Sequence, residues 1–113
     1  MNHRIVRMGC AVVLLAVAIL TVTASTHAQD AGALFKAKCS TCHAADGSSS
    51  TQMGKTLGAP DLHSDEVQKK TDAQLIDAIT NGVGKKMPAY KGKLADAQIK
   101  DLVGYIRGLA KKS

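Results

Sequence analysis

Cys39-Ser40-Thr41-Cys42-His43 is the stretch on which the reading of this chain turns. Two cysteines separated by two residues and followed at once by a histidine form the C-x-x-C-H run of covalent haem attachment. The spacing has a chemical reason. The thiols add across the porphyrin vinyl groups as thioethers, and a two-residue gap at a helix end brings both sulfurs to one porphyrin edge, with the adjacent imidazole placed to bind the iron. A bare C-x-x-C also serves thioredoxin-like redox sites and half of a zinc site. Zinc needs further ligands, and His63 and the scattered acids supply no second pair at finger-like spacing. A thioredoxin-like motif follows a strand, whereas here a helix leads into the motif. Haem is therefore the expected cofactor, one group held by Cys39, Cys42 and His43, with a disulfide as the minor alternative.

The amino terminus points the same way, because haem is joined to such motifs outside the cytoplasm. Arg4 and Arg7 form a positive n-region, Cys10 to Val22 is a nearly unbroken apolar run, and Thr26-His27-Ala28 offers a small-x-small cleavage pattern. Residues 1–28 thus read as a cleavable secretory signal and 29–113 as the mature domain, exported to the periplasm or its equivalent. An uncleaved anchor is the alternative, since Met8 to Ala24 is just long enough to be marginal. Cys10 stands at the start of the apolar run and not after it, unlike a lipoprotein cysteine, and would leave with the signal. No stable membrane insertion of the mature chain is expected.

Two cysteines then remain, both in the motif, so no disulfide framework stabilises the domain. Residues 29–113 suffice for one compact domain with little apolar core of its own. A covalently held porphyrin would supply the missing apolar mass. The scarcity of aromatics, Phe35, Tyr90 and Tyr105 alone, fits that picture. The whole chain carries 15 basic and 9 acidic residues, a formal +6, and loss of Arg4 and Arg7 leaves thirteen bases against nine acids. Lys85, Lys86, Lys91 and Lys93 flank one short stretch, while Asp61, Asp65, Glu66, Asp72 and Asp77 lie earlier. Such asymmetry orients encounters with an acidic redox partner, or else is a solvated lysine face. Nucleic-acid binding is not expected, since no aromatic platform accompanies the lysines. A monomer is expected.

Apolar periodicity predicts an all-α domain of three main helices joined by long loops. The first runs from an Asp30 N-cap to Cys42 and delivers the motif at its end. The second begins at a Thr71–Gln74 capping box, carries Leu75, Ile76 and Ile79, and stops at Asn81-Gly82. The third spans about Ala95 to Lys111, with Ile99, Leu102, Val103, Ile106 and Leu109 at helical spacing. Its glycines, Gly104 and Gly108, either lower the helix's intrinsic stability by about 1 kcal/mol each or admit the backbone of another helix, the first being the candidate. Ala44 to Lys70 reads as a loop, which wrapping around a cofactor would justify. If Pro60 lies beside the haem, its carbonyl would accept the Nδ1–H of His43 and leave Nε2 for the iron; otherwise Pro60 simply rigidifies a turn.

The sixth iron ligand separates a carrier from a catalyst. Met87, within Lys85-Lys86-Met87-Pro88-Ala89-Tyr90, is the leading candidate, in a non-helical stretch that Pro88 biases away from helix. Met53 and His63 are its rivals. At this point the mature chain resembles the small, soluble class I c-type cytochromes. Phe35 stands four residues before Cys39, as the family's first-helix aromatic does, and Leu102 and Tyr105 match its last helix. Gly58-Ala59-Pro60-Asp61-Leu62 is similar to its proline loop, and Met87-Pro88-Ala89-Tyr90 to its methionine loop. The resemblance implies a class I cytochrome c fold around one haem c, with Pro60 and Leu62 among its contacts. It further implies His43/Met87 ligation, a crossing of the first and last helices near Phe35 and Tyr105, and a one-electron Fe(III)/Fe(II) carrier rather than an enzyme. Two departures stand out: Ala31 occupies a usual glycine position, with Gly32 one residue late, and Ala95 replaces a usual serine cap, with Asp96 as the expected substitute. The alternatives are an electron-transfer subunit of a dehydrogenase or oxidase, and a haem peroxidase or gas sensor with a labile sixth ligand.

Overall fold

The computed structural model describes residues 23–112, with side chains from Asp30 to Lys111. The expected signal segment therefore lies outside the residues whose side chains are described. Six α-helices follow one another: α1 (Thr23–Lys38), α2 (Ser40–His43), α3 (Gln52–Leu57), α4 (Asp65–Gln68), α5 (Asp72–Asn81) and α6 (Asp96–Leu109). A 3₁₀ turn, Ala110–Lys112, ends the described chain. Extended pairing among the described residues is confined to two isolated bridges, Val83 with Met87 and Lys91 with Leu94.

Long α1, α5 and α6 are the three expected helices, with differences at their ends. Helix α1 starts at Thr23, so Asp30 is an interior residue and not the N-cap. Nothing between Thr23 and Asp30 breaks a helix, as neither Pro nor Gly occurs there. The helix also does not run unbroken to Cys42. Its ladder continues through Cys39 N to Phe35 O at 2.8 Å, then the chain turns at Cys39 and restarts as α2, with His43 N bonded to Cys39 O at 2.9 Å. Helix α5 starts at the expected box: Thr71 Oγ1 accepts from Gln74 N, and Gln74 Oε1 accepts from Thr71 N. At the start of α6, Ala95 is the N-cap residue and Asp96 lies in the first turn, so Asp96 is not the substitute cap. Only half a box forms there, Gln98 Oε1 accepting from Ala95 N at 2.9 Å.

The expected loop from Ala44 to Lys70 contains α3 and α4. Its cap signals explain why. Thr51 Oγ1 accepts from Gly54 N at 2.9 Å to start α3, and Gly58, at φ 67°, ends it in the left-handed conformation. Apolar periodicity missed both helices because each is too short to show a full stripe.

Helices α1 and α6 pack together, with Phe35 and Tyr105 ring centroids 5.0 Å apart at 40°, a tilted aromatic pair at the crossing. The close approach uses a glycine of α1, not of α6. A Cβ on Gly32 would sit 3.4 Å from the Tyr105 ring, whereas Gly104 and Gly108 face nothing within 4 Å. Ala31 is buried at the same contact region. The whole α6 stripe, Ile99, Leu102, Val103, Ile106 and Leu109, is buried in one core with Phe35, Leu62, Val67, Leu75 and Ile79. Arg107 fastens the central segment to this core. Its Nη1 donates to Gln68 O at 2.8 Å, its Nε to Asp72 Oδ1 at 3.0 Å, and its Nη2 to Lys70 O. Gln68 Nε2 in turn donates to Leu62 O at 2.7 Å and Ile106 O at 3.1 Å.

Candidate functional site

A cavity of about 690 Å³ opens between the motif, the α3–α4 segment, α5 and the stretch that follows it. That volume lies in the range of cofactor sites. Cys39, Cys42, His43, Pro60, Leu62 and Met87 all line it, so the structure brings together every residue expected from sequence. The rivals stand elsewhere. Met53 is 47% exposed, and His63 bonds Asp61 Oδ1 through Nδ1 at 2.7 Å; neither lines the cavity. Apolar side chains from five helices, Phe35, Leu57, Val67, Leu75, Ile79 and Leu102 among them, form much of the rest of the wall.

The thiols are unpaired and half-buried. Burial, and then the neighbouring Cys42, push the Cys39 thiol up to about 11. The raised value is the opposite of the depressed thiolate that thioredoxin-like chemistry needs. Among the described residues, no three His, Cys, Asp or Glu side chains are grouped to hold a metal ion on their own.

His43 is held by the segment that wraps the motif. Its Nδ1 lies 3.2 Å from Ser49 Oγ, and Ser49 Oγ donates to the Pro60 carbonyl at 2.6 Å. The expected contact between His43 and Pro60 is thus shared with a serine that the sequence reading did not single out. Burial lowers the pKa of the imidazole, and hydrogen bonding to the Pro60 carbonyl opposes that shift. A buried, neutral imidazole with its Nδ1 engaged leaves Nε2 for a metal. The wrap is tight: Thr51 Oγ1 donates to Thr41 O at 2.7 Å, and a Cβ on Gly54 would lie 2.1 Å from Cys42 O.

Met87 sits in a turn folded back onto α5. Val83 N donates to Met87 O at 3.0 Å and Met87 N to Val83 O at 3.2 Å. Gly82, at φ 75°, has no room for a side chain, since a Cβ would be 2.5 Å from Met87 O. Tyr90 N and Lys91 N donate to Ile79 O and Thr80 O at the end of α5. Tyr90 Oη then crosses to Lys38 O at 2.9 Å, tying this turn to the residue before Cys39. Burial raises the Tyr90 pKa, so the phenol remains a donor.

The residues fit a covalently attached porphyrin: two thiols, an imidazole and a thioether line one cavity together with apolar side chains. Comparison with known proteins agrees. Residues 26–106 match the family model described as cytochrome c oxidase, cbb3-type, subunit III. A cytochrome c6 from Nostoc sp. is 36% identical over 103 residues, covering 87% of this chain and 89% of that protein. The cbb3-type cytochrome c oxidase subunit CcoP of Azospirillum brasilense is 34% identical, covering 77% of this chain and 30% of that protein. Among solved structures, the KustC0563 c-type cytochrome superposes with a TM-score of 0.65 at 35% identity, covering 70% of this chain and 95% of its own. The chain belongs to the class I c-type cytochromes, all-α proteins that carry covalently bound haem c and transfer electrons.

Proposed function

We propose that this cytochrome is a free one-electron carrier whose iron is ligated by His43 and Met87 after haem is joined to Cys39 and Cys42. The observation that carries the reading is that Met87 is the methionine lining the cavity that also holds Cys39, Cys42 and His43. When bound, the haem supplies an Fe(III)/Fe(II) couple, which a thioether ligand and apolar burial both shift towards the ferrous state. His43 is kept neutral by burial and oriented by Ser49 and Pro60. Met87 is held by the Val83 turn and the Tyr90 tether. Leu62, Leu75, Ile79 and Leu102 exclude water from the ring. Little has to move as the charge changes, which favours electron transfer over ligand chemistry. The charged side chains at the cavity, Lys38, Glu66, Lys70 and Lys86, are exposed at its edge.

Lys85, Lys86, Lys91 and Lys93 are all exposed, and Lys86 borders the cavity together with Val83, Met87 and Pro88. We place the docking surface for an acidic redox partner there, small, polar and transient. An exported location follows from the expected signal of residues 1–28. No helix among the described residues is long and apolar enough to cross a membrane.

The test is the visible spectrum of the haem-loaded protein. The ferric form should show the weak long-wavelength charge-transfer band of methionine-sulfur ligation, and Met87→Ala should abolish it and let the ferrous form take up carbon monoxide. A wild-type protein that already binds carbon monoxide readily would point to a sensor or peroxidase instead. A second reading, a subunit of an oxidase, draws on the likeness to CcoP. Size-exclusion chromatography separates the two, since a carrier elutes alone and a subunit with its complex. The large apolar side chains exposed among the described residues are Met53 and Val83, far less than a permanent interface buries.

A further inference from the structure

Ser49 is the buried polar residue of the described core, 6% exposed, and it stands at φ 57°. Only one other described non-glycine residue, Ala44, has a positive φ. An L side chain is unfavourable in the left-handed region, where glycine would be unstrained, so a serine kept there points to a role for its side chain. Ser49 grips His43 twice, its N–H donating to His43 O at 2.9 Å and its Oγ lying 3.2 Å from Nδ1.

The hydroxyl has one proton, and that proton goes to Pro60 O across the shorter distance of 2.6 Å. Its lone pairs are what face Nδ1, so the imidazole must be the donor. Ser49 therefore selects the Nδ1–H tautomer of His43. We propose that the Ser49 hydroxyl is a positioning group that sets the electron richness of the proximal imidazole, accepting from His43 Nδ1–H while donating to the Pro60 carbonyl that His43 also uses. This inference rests on His43 being the iron ligand.

The direction of the effect follows from acceptor strength. A hydroxyl oxygen accepts more weakly than an amide carbonyl, and the hydroxyl proton draws on the same Pro60 carbonyl that accepts from His43, weakening it as an acceptor. With the hydroxyl gone, Nδ1–H is left to Pro60 O alone, an acceptor no longer shared. The stronger bond gives the ring more imidazolate character, which favours Fe(III). Removing Ser49 Oγ thus lowers the reduction potential.

Two variants separate tuning from mere stability. Ser49→Ala removes the hydroxyl and keeps the backbone strain, whereas Ser49→Gly removes the hydroxyl and relieves it. In the haem-loaded protein, both should lower the midpoint potential by similar amounts and move the ferrous His43 Nδ1–H proton resonance downfield. Their denaturation midpoints should nevertheless differ, with Ser49→Gly the more stable. Unchanged potentials, raised potentials, or shifts of opposite sign that follow stability would overturn the proposal. Failure of the underlying reading is visible separately: if His43→Ala retains the wild-type low-spin spectrum, His43 is not the ligand and both ideas fall.

Discussion

A single methyl group at position 54 would collide with the haem-attachment motif. Gly54 is buried, and a Cβ there would lie 2.1 Å from Cys42 O and 2.6 Å from Ser49 O, both backbone atoms that cannot swing away. Alanine would gain about 1 kcal/mol of helix propensity in α3. Overpacking against backbone costs about 1–3 kcal/mol, so the collision wins. Gly54→Ala should destabilise the haem-loaded protein by up to about 2 kcal/mol, read as a lower denaturant midpoint with unchanged slope. The opposite outcome is expected of Gly104→Ala, where nothing lies within 4 Å and only the propensity gain applies. Gly54 was invisible as a special position in the sequence, because its constraint comes from a carbonyl twelve residues away.

At the level of elements, the stretch after α5 is held at both ends by different forces. Main-chain bonds from Tyr90 and Lys91 fix it to the last turn of α5, and the Tyr90 hydroxyl reaches across to Lys38 O, near the end of α1. That second bond satisfies a carbonyl that the end of the helix leaves without an intrahelical partner. Tyr90→Phe keeps the ring and loses the bond, at a cost of about 1 kcal/mol. The cost falls on the turn carrying Met87, so added imidazole should displace the sixth ligand several-fold faster, measured by stopped-flow absorbance of the ferric protein. An unchanged rate would mean that the Val83–Met87 turn holds the methionine unaided. Met87 and its non-helical setting were readable from Pro88 and the glycines before it, but the Tyr90–Lys38 bond joins segments 52 residues apart and has no local signature.

For the molecule as a whole, the cavity sets the balance between folded and unfolded states. Without the porphyrin, Phe35, Leu75, Ile79, Leu102 and Ile106 have no packing partner on the cavity side. A typical domain has a net stability of only about 5–15 kcal/mol, so loss of that packing from several core side chains at once removes most of it. A Cys39→Ser, Cys42→Ser double variant without haem should therefore be largely unfolded at 25 °C, with helical circular dichroism mostly lost. The charge distribution makes a separate demand on the surface. Lys86→Glu with Lys91→Glu should slow association with an anionic redox partner about tenfold at low salt. The difference should fade towards 1 M salt, as the screening length drops from about 10 Å at 0.1 M to about 3 Å. A rate indifferent to both changes would move the docking surface elsewhere.

The motif, the three long helices, the Thr71 box and the α6 stripe were all legible in sequence. Each depends on covalent spacing or on a period of a few residues, and local stretches of chain hold that information. The start of α1 and the two short helices of the central segment were not, because the first lay upstream of the assumed boundary and the others are shorter than one full stripe. Tertiary structure alone decided that Gly32, not Gly104 or Gly108, admits the neighbouring helix, that Gly54 must lack a side chain, and that Ser49 bonds both His43 and Pro60. Those features arise where segments distant in the chain come within a few ångströms, and packing, not local preference, determines which atoms meet there.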